Sequence, residues 1–494
     1  MSPLKNLIRS TFTYGIGDVL LFGISYLVMI PLLTHYLSPE EYGAVATLNT
    51  LSVFLVAALQ IGLPSAAFRF WYMQKSRERQ RAYMTGIWLT SVVLAAVLVA
   101  ALLFLGRPLW DRWILHASFD EFAPYIVWGA FCQVLIAFKS VLLRALDRSR
   151  WFIMLDITQF IVMLTMVWFQ VVVLHAGVIG QVKGVFYTQV VFALISAVIV
   201  LCTCGIRVSR EGVGRSVVFA LPVFVTGIVS LMATRSTILI AQNYVSAAAV
   251  GILALGMQIG AMVQLAATSF EKAWQPFLYS RDPEHARTSL RAILDLAAPA
   301  YTLAAMFLAL FAPELIGLAS SPAYASAWVI VGIAAFGALF VALSSIVNGG
   351  LYYATRSGAS LLVTSLAAAT NVLLCWLLIP RWGISGAALA TTLSGVVSVT
   401  FMIVAARKAF DRDLGFYRVF GAIALGLALT GAAMVVSRQT SIAPLLVWIV
   451  KYSAIAIYVL VIWKMKWYRA VTNALVESHQ RTDEVVTTGM LSTK

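Results

Sequence analysis

The chain alternates long apolar stretches with short polar ones. Fourteen apolar stretches stand out: residues 11–34, 42–67, 83–105, 122–143, 152–174, 183–204, 216–241, 248–269, 292–312, 325–347, 359–379, 384–406, 417–436 and 444–463. Each is about 20 residues long, enough for a helix to cross a hydrocarbon layer of ~30 Å. They are apolar on every side and lack the period-two alternation of barrel strands, so the backbone must satisfy its own hydrogen bonds as helix. The pattern predicts an all-α polytopic membrane protein with about fourteen transmembrane helices.

Composition agrees. Of 494 residues, 61% are hydrophobic and 11% charged, whereas soluble domains carry roughly 25% charged residues. The net charge of +15 alone could fit a nucleic-acid partner, but the positions of the charges point elsewhere. Twenty-six Lys and Arg fall in or beside the loops on the N-terminal side of the spans, and five (Arg107, Arg112, Lys183, Arg381, Arg438) on the other. The inside-positive rule then places both termini in the cytoplasm and assigns the excess charge to topology, with no nucleic acid involved. The first stretch lacks a small-residue cleavage site and is expected to remain as the first span.

The order of the stretches contains a repeat. Ile30, Tyr36, Ser38, Gly43 and Ala46 recur 208 positions later as Ile238, Tyr244, Ser246, Gly251 and Ala254, in both cases at a turn between two spans. Gly177-Val178-Ile179-Gly180 similarly echoes Gly383-Ile384-Ser385-Gly386, and Arg148-Ser149 echoes Arg356-Ser357. Duplication of six spans, an even number, predicts two parallel six-helix lobes related by a pseudo-two-fold axis along the membrane normal. The expected division is an N-terminal lobe at 1–205, a C-terminal lobe at 206–410, two further spans at 411–466 and a disordered cytoplasmic tail at 467–494.

No residues assemble a reaction centre. The five His are scattered without metal spacing, and neither a phosphate loop nor a nucleophile elbow occurs, so neither an enzyme nor a cofactor is expected. Cys132, Cys202, Cys204 and Cys375 lie in or at the ends of apolar stretches and read as small apolar residues.

At Pro31-Leu32-Leu33-Thr34-His35-Tyr36-Leu37-Ser38-Pro39-Glu40-Glu41-Tyr42-Gly43 the chain resembles the polysaccharide exporters of the multidrug/oligosaccharidyl-lipid/polysaccharide flippase superfamily. The run from Asn371 through Ile379-Pro380-Arg381-Trp382-Gly383 to Gly386-Ala387-Ala388 carries the same resemblance. It implies a flippase for undecaprenyl-diphosphate-linked oligosaccharide in capsule, O-antigen or exopolysaccharide production. Its implied setting is a bacterial inner membrane, among membrane lipids, with a polysaccharide polymerase and chain-length machinery as partners. The alternatives are a cation-coupled multidrug antiporter of the same superfamily and, ranked below it, a membrane-embedded glycosyltransferase or polymerase. Where family members often carry Asp-Arg, this chain has Ser236-Thr237 preceded by Arg235, which reverses the local charge and argues against an ion-coupling role there.

Cargo of that class bears a pyrophosphate, and Arg forks suit phosphate. Charges inside spans are costly and usually face a cavity or a partner. Arg235 in span seven is therefore the leading cavity cation, and Arg69, Lys139 and Arg144 at the inner ends of spans are candidates for a basic mouth. Those three also satisfy topology without any site. Asp18, roughly 10 Å into the first span by helical rise, is the candidate for ion coupling or for pairing with a nearby cation. Lys451 reads either as a functional charge or as a side chain snorkelling to the headgroups. Pro31, Pro222 and Pro299 are expected to kink their spans.

Overall fold

The computed structural model describes residues 28–114, 117–209, 213–265, 267–268, 270–271, 283–354, 357–410, 416–437 and 444–465. Among these residues the secondary structure is helical, with no strand. The first helices are α1 (Ile30–Tyr36), α2 (Pro39–Gln60), α3 (Leu63–Trp71), α4 (Arg77–Leu105), α5 (Arg107–Trp113) and α6 (Phe119–Ala145). Next come α7 (Ser149–Trp168), which runs into a π segment at Phe169–Val173, then α8 (Gly177–Cys204), α9 (Val213–Ala241) and α10 (Ala247–Gly260). The remainder are α11 (Pro283–Leu310), α12 (Ala312–Ala319), α13 (Trp328–Tyr353), α14 (Ser357–Phe410), α15 (Phe416–Ser437) and α16 (Pro444–Lys464).

Twelve of the described helices are long and apolar enough to cross a membrane. Of the fourteen expected stretches, 11–34 lies mostly outside the described residues. Two others, 359–379 and 384–406, fall within the single helix α14, which is interrupted by Gly383 at φ 55°, ψ −136°. Helix ends extend past the apolar edges because polar residues continue the first and last turns: α4 starts at Arg77 rather than at residue 83, capped by the Ser76 side chain on the Arg79 amide. Pro222 and Pro299 sit inside α9 and α11, while Pro31 occupies the first turn of α1, where its missing amide hydrogen costs nothing.

The described residues fall into two compact units. The first comprises the chain up to Leu255 with Ala319–Ser326 and Ala368–Ala390; the second comprises Gly256–Leu318, Ala327–Ala367 and the chain from Thr391 onward. In the first unit, α6 packs against α4, α2 and α8, around a core that includes Leu63, Trp71, Tyr83, Ile87, Val134, Phe138 and Leu142. In the second, α11 packs against α13 and α15, and α15 against α16.

Within the first unit the repeated corner is a physical contact. A Cβ on Gly43 would collide with the carbonyl oxygen of Ala247 and crowd the Gly251 amide. A Cβ on Gly251 would collide with the carbonyl of Pro39 and crowd the Gly43 amide. The two contacts exchange under the 208-residue shift, so α2 and α10 meet reciprocally, backbone on backbone, at the two echoed glycines. Ser38 and Ser246 cap the two helices in the same way, accepting from the amides of Glu41 at 3.2 Å and Ala249 at 3.3 Å. The second echo is conformational: Gly177 and Gly383 take φ of 56° and 55°, a region open to glycine and strained for other residues.

Candidate functional site: a cation–aromatic cluster

The arginine forecast at the end of span two reaches its place through a break in the helix. After Gln60 the chain takes two left-handed residues, Ile61 at φ 47° and Gly62 at φ 70°, and restarts as α3 with a proline in the first turn. The restart turns the short helix against α9, where Phe70 meets Phe219 edge to face at 5.9 Å. The Arg69 guanidinium lies over the same Phe219 ring, 4.6 Å from its centre. Arg144, in the last turn of α6, donates from Nε to the Ser140 carbonyl at 3.2 Å and lies over Phe68 at 5.4 Å and Phe152 at 6.0 Å. Phe68 in turn meets Tyr72 edge to face at 5.5 Å.

Two of the forecast cations therefore share one cluster, with Arg144 on Phe68 and Arg69 next in sequence on Phe219. Both side chains are exposed, and neither has a carboxylate partner among the described residues. Each cation–ring contact contributes about 0.5–1 kcal/mol at an exposed site, holding the guanidinium over the ring while its terminal N–H donors stay available. Such a cluster can bind an anion through several donors and offer aromatic faces to an apolar or sugar surface.

Lys139 is placed differently. It is fully buried, donates to Asp156 Oδ1 at 2.9 Å across α6 and α7, and lies 5.9 Å from the Phe192 ring centre. A lysine in that position satisfies a buried charge inside the first unit, because an unpaired ammonium there would be expelled. Asp156 carried no forecast. It stands near the start of span five, where an acid reads as a boundary residue, and its partner is visible only once α6 and α7 are side by side.

Arg235 is exposed on α9, directly before two buried hydroxyls. Ser236 and Thr237 donate to Asn371 Oδ1 at 3.0 and 3.3 Å, and Cys375 lies one turn further along α14, 3.7 Å from the Thr237 hydroxyl. The residues that depart from the family pattern thus form a neutral polar cluster joining span seven to span eleven. Nothing in the sequence linked Ser236-Thr237 to Asn371, which lies 135 residues beyond Ser236. Asp18 lies outside the described residues.

Lys451, in the second unit, is buried and ion-paired with Glu314 on α12 rather than reaching for the membrane surface. It sits among Phe311 and Trp448, 5.4 and 5.6 Å from their ring centres. Asp295, also passed over in the sequence, is buried on α11 and faces Arg418 of α15 at 3.9 Å. Cys132, Cys204 and Cys375 are buried, while Cys202 is exposed near the end of α8. Among the described residues no group of His, Cys, Asp and Glu is arranged to hold a metal ion.

Solved membrane transporters share this fold. The inward closed conformation of the lipid II flippase MurJ superimposes with a TM-score of 0.71 at 14% identity, covering 94% of this chain and 99% of that one. An inward-facing multidrug resistance MATE family transporter of the MOP superfamily gives 0.67 at 14% identity, covering 80% and 98%. The Vibrio cholerae MATE transporter VcmN gives 0.59 at 16%, covering 83% and 99%. At these identities the likeness is one of fold. The family model for polysaccharide biosynthesis proteins matches residues 7–281, more than half of the chain, and the protein belongs to that family. No curated protein matches the chain in a sequence search.

Proposed function

We propose that the protein is a flippase that carries undecaprenyl-diphosphate-linked oligosaccharide across the cytoplasmic membrane by alternating access, serving capsule, O-antigen or exopolysaccharide production. Membership of the polysaccharide biosynthesis family and the flippase-type fold support the class. The observation that carries the cargo chemistry is the pairing of Arg69 and Arg144 on neighbouring aromatic faces, with their terminal N–H donors open. A pyrophosphate needs several charge-assisted donors, and two guanidinium forks supply them without a competing carboxylate. Arg235 is the further cation that the cargo meets in the cavity. A cation antiporter would need an open acid, whereas the exposed charges at Arg69, Arg144 and Arg235 repel cations. In this reading both termini are cytoplasmic, Lys139 supports the cluster from inside the unit, and a polymerase and chain-length machinery receive the product.

The test is transport of lipid-linked oligosaccharide in proteoliposomes, read by accessibility of the glycan to an impermeant glycosidase. Arg69→Ala and Arg144→Ala each lower the initial rate by about tenfold or more, since one charge-assisted hydrogen bond contributes about 1.5–3 kcal/mol. Arg148→Ala, which removes an exposed charge outside the cluster, leaves the rate unchanged. Wild-type rates in both cluster variants would remove the cluster from the transport path. Transport of a lipophilic cation in place of the glycan would establish the antiporter.

A further inference from the structure

A second cationic site lies in the first unit, apart from the cation–aromatic cluster. A cavity of about 580 Å³ is lined by Glu78, Arg81 and Ala82 at the start of α4, and by Cys202 to Arg207 at and beyond the end of α8. Its wall is built. The chain leaves α8 through Gly205 at φ 76° and runs back along the first turns of α4. There Thr85 donates to the Gly205 carbonyl at 2.9 Å, and the Ser209 amide donates to the Ala82 carbonyl at 3.1 Å. Arg207 bonds Glu78 at 2.6 Å, and Tyr83 shares a hydrogen bond of 2.7 Å with Ser216 at the start of α9. Three helices are thereby fixed around the opening.

The lining is mixed in a particular way. Arg81 is exposed, and its guanidinium has no ion-pair or hydrogen-bond partner among the described residues. Arg207 shares its charge with Glu78, so the lining carries one positive charge in excess. Beside these cations Ile206 is 83% exposed and Val208 50%, a large apolar surface at the end of two membrane-spanning helices. A site for a free anion has no use for such a rim, whereas a lipid presents a phosphate and an acyl chain side by side. Basic pockets between helices on the side where Lys and Arg accumulate bind anionic headgroups in this manner.

We propose that this cavity is a binding site for the phosphate headgroup of an anionic phospholipid, with Arg81 as its principal donor, Arg207 as its second and Ile206 against the acyl chain. Glu78 competes with the headgroup for Arg207 and so limits the affinity. The site binds a resident lipid beside the transport path and is independent of the cargo.

Cys202, exposed and in the lining, reports occupancy, while the buried Cys132 and Cys375, outside the lining, serve as internal references for an intact fold. The full-length protein is placed in nanodiscs of phosphatidylcholine, with or without phosphatidylglycerol. The rate of Cys202 alkylation by N-ethylmaleimide is then read by peptide mass spectrometry. Phosphatidylglycerol slows the reaction by about fivefold, the factor one interfacial Arg contributes. Arg81→Ala abolishes that ratio, Glu78→Gln increases it, and Arg79→Ala, on the same turn of helix but outside the lining, preserves it. Equal rates with and without phosphatidylglycerol would overturn the proposal. Loss of the ratio in Arg79→Ala as well would reduce it to diffuse surface attraction. Equal protection by inorganic pyrophosphate in phosphatidylcholine discs would assign the cavity to a soluble anion instead.

Discussion

The corner at Ser38–Gly43 and its echo at Ser246–Gly251 perform the same packing with different chemistry. At the first, Ser38 and Glu41 form a reciprocal capping box, with the Ser38 amide donating to Glu41 Oε2 at 2.8 Å. Tyr324 reinforces it, donating to the Leu37 carbonyl at 2.9 Å and meeting Tyr42 edge to face. At the second, the positions of Glu40 and Glu41 are taken by Ala248 and Ala249, leaving a single serine cap. What both keep is the glycine at the crossing, where each backbone occupies the volume a side chain would need. The two corners share the steric requirement and differ in their polar decoration, because a collision between backbones has no compensating rearrangement and a lost cap does.

Breaking the crossing has the largest effect. Gly43→Leu and Gly251→Leu each destabilise the protein by about 3 kcal/mol or more, seen as loss of monodisperse protein after detergent extraction. Because both variants break one contact, the double variant falls well short of the sum. Normal yield and melting for either single variant would show that the helices can part at little cost. The left-handed glycines come next: Gly383→Ala, with open space around the new Cβ but a conformation closed to alanine, costs about 1–2 kcal/mol in thermal melts. Gly177→Ala costs at least as much, since its Cβ would also crowd a Glu41 oxygen. The caps separate the corners most finely. Ser38→Ala and Ser246→Ala each cost about 1 kcal/mol, while Glu41→Ala costs about half of that by removing the acceptor of the Ser38 amide, a bond whose acid the second corner lacks. Unchanged stability in Glu41→Ala would mean that the Glu41 half of the box contributes nothing.

The hydrophobic pattern located the helices because an apolar run long enough to cross a bilayer has few other fates. The repeat at Gly43 and Gly251 was equally legible, but nothing in the letters said that the two copies touch each other. Pairing between helices was the part that stayed hidden. Lys139 and Asp156 stood at the ends of separate spans, and the hydroxyls at Ser236-Thr237 gave no indication of Asn371. The same limit applied to Arg69 and Arg144, whose union depends on the bend at Ile61-Gly62 and on a ring, Phe219, from a third helix. One-dimensional pattern reports what each segment must avoid; partners are set by packing geometry that the pattern does not encode.

The ion pairs on α11 and α12 have a consequence for how the chain is made. Asp295 and Glu314 enter the membrane with that stretch, but their partners Arg418 and Lys451 are synthesised more than a hundred residues later. Until the last two helices arrive, Glu314 lacks Lys451, and Asp295 has only Arg291 of its own helix as a counter-charge. A chain stopped before Phe416 lacks both late partners, so the last two helices complete charges that the earlier helices carry into the membrane.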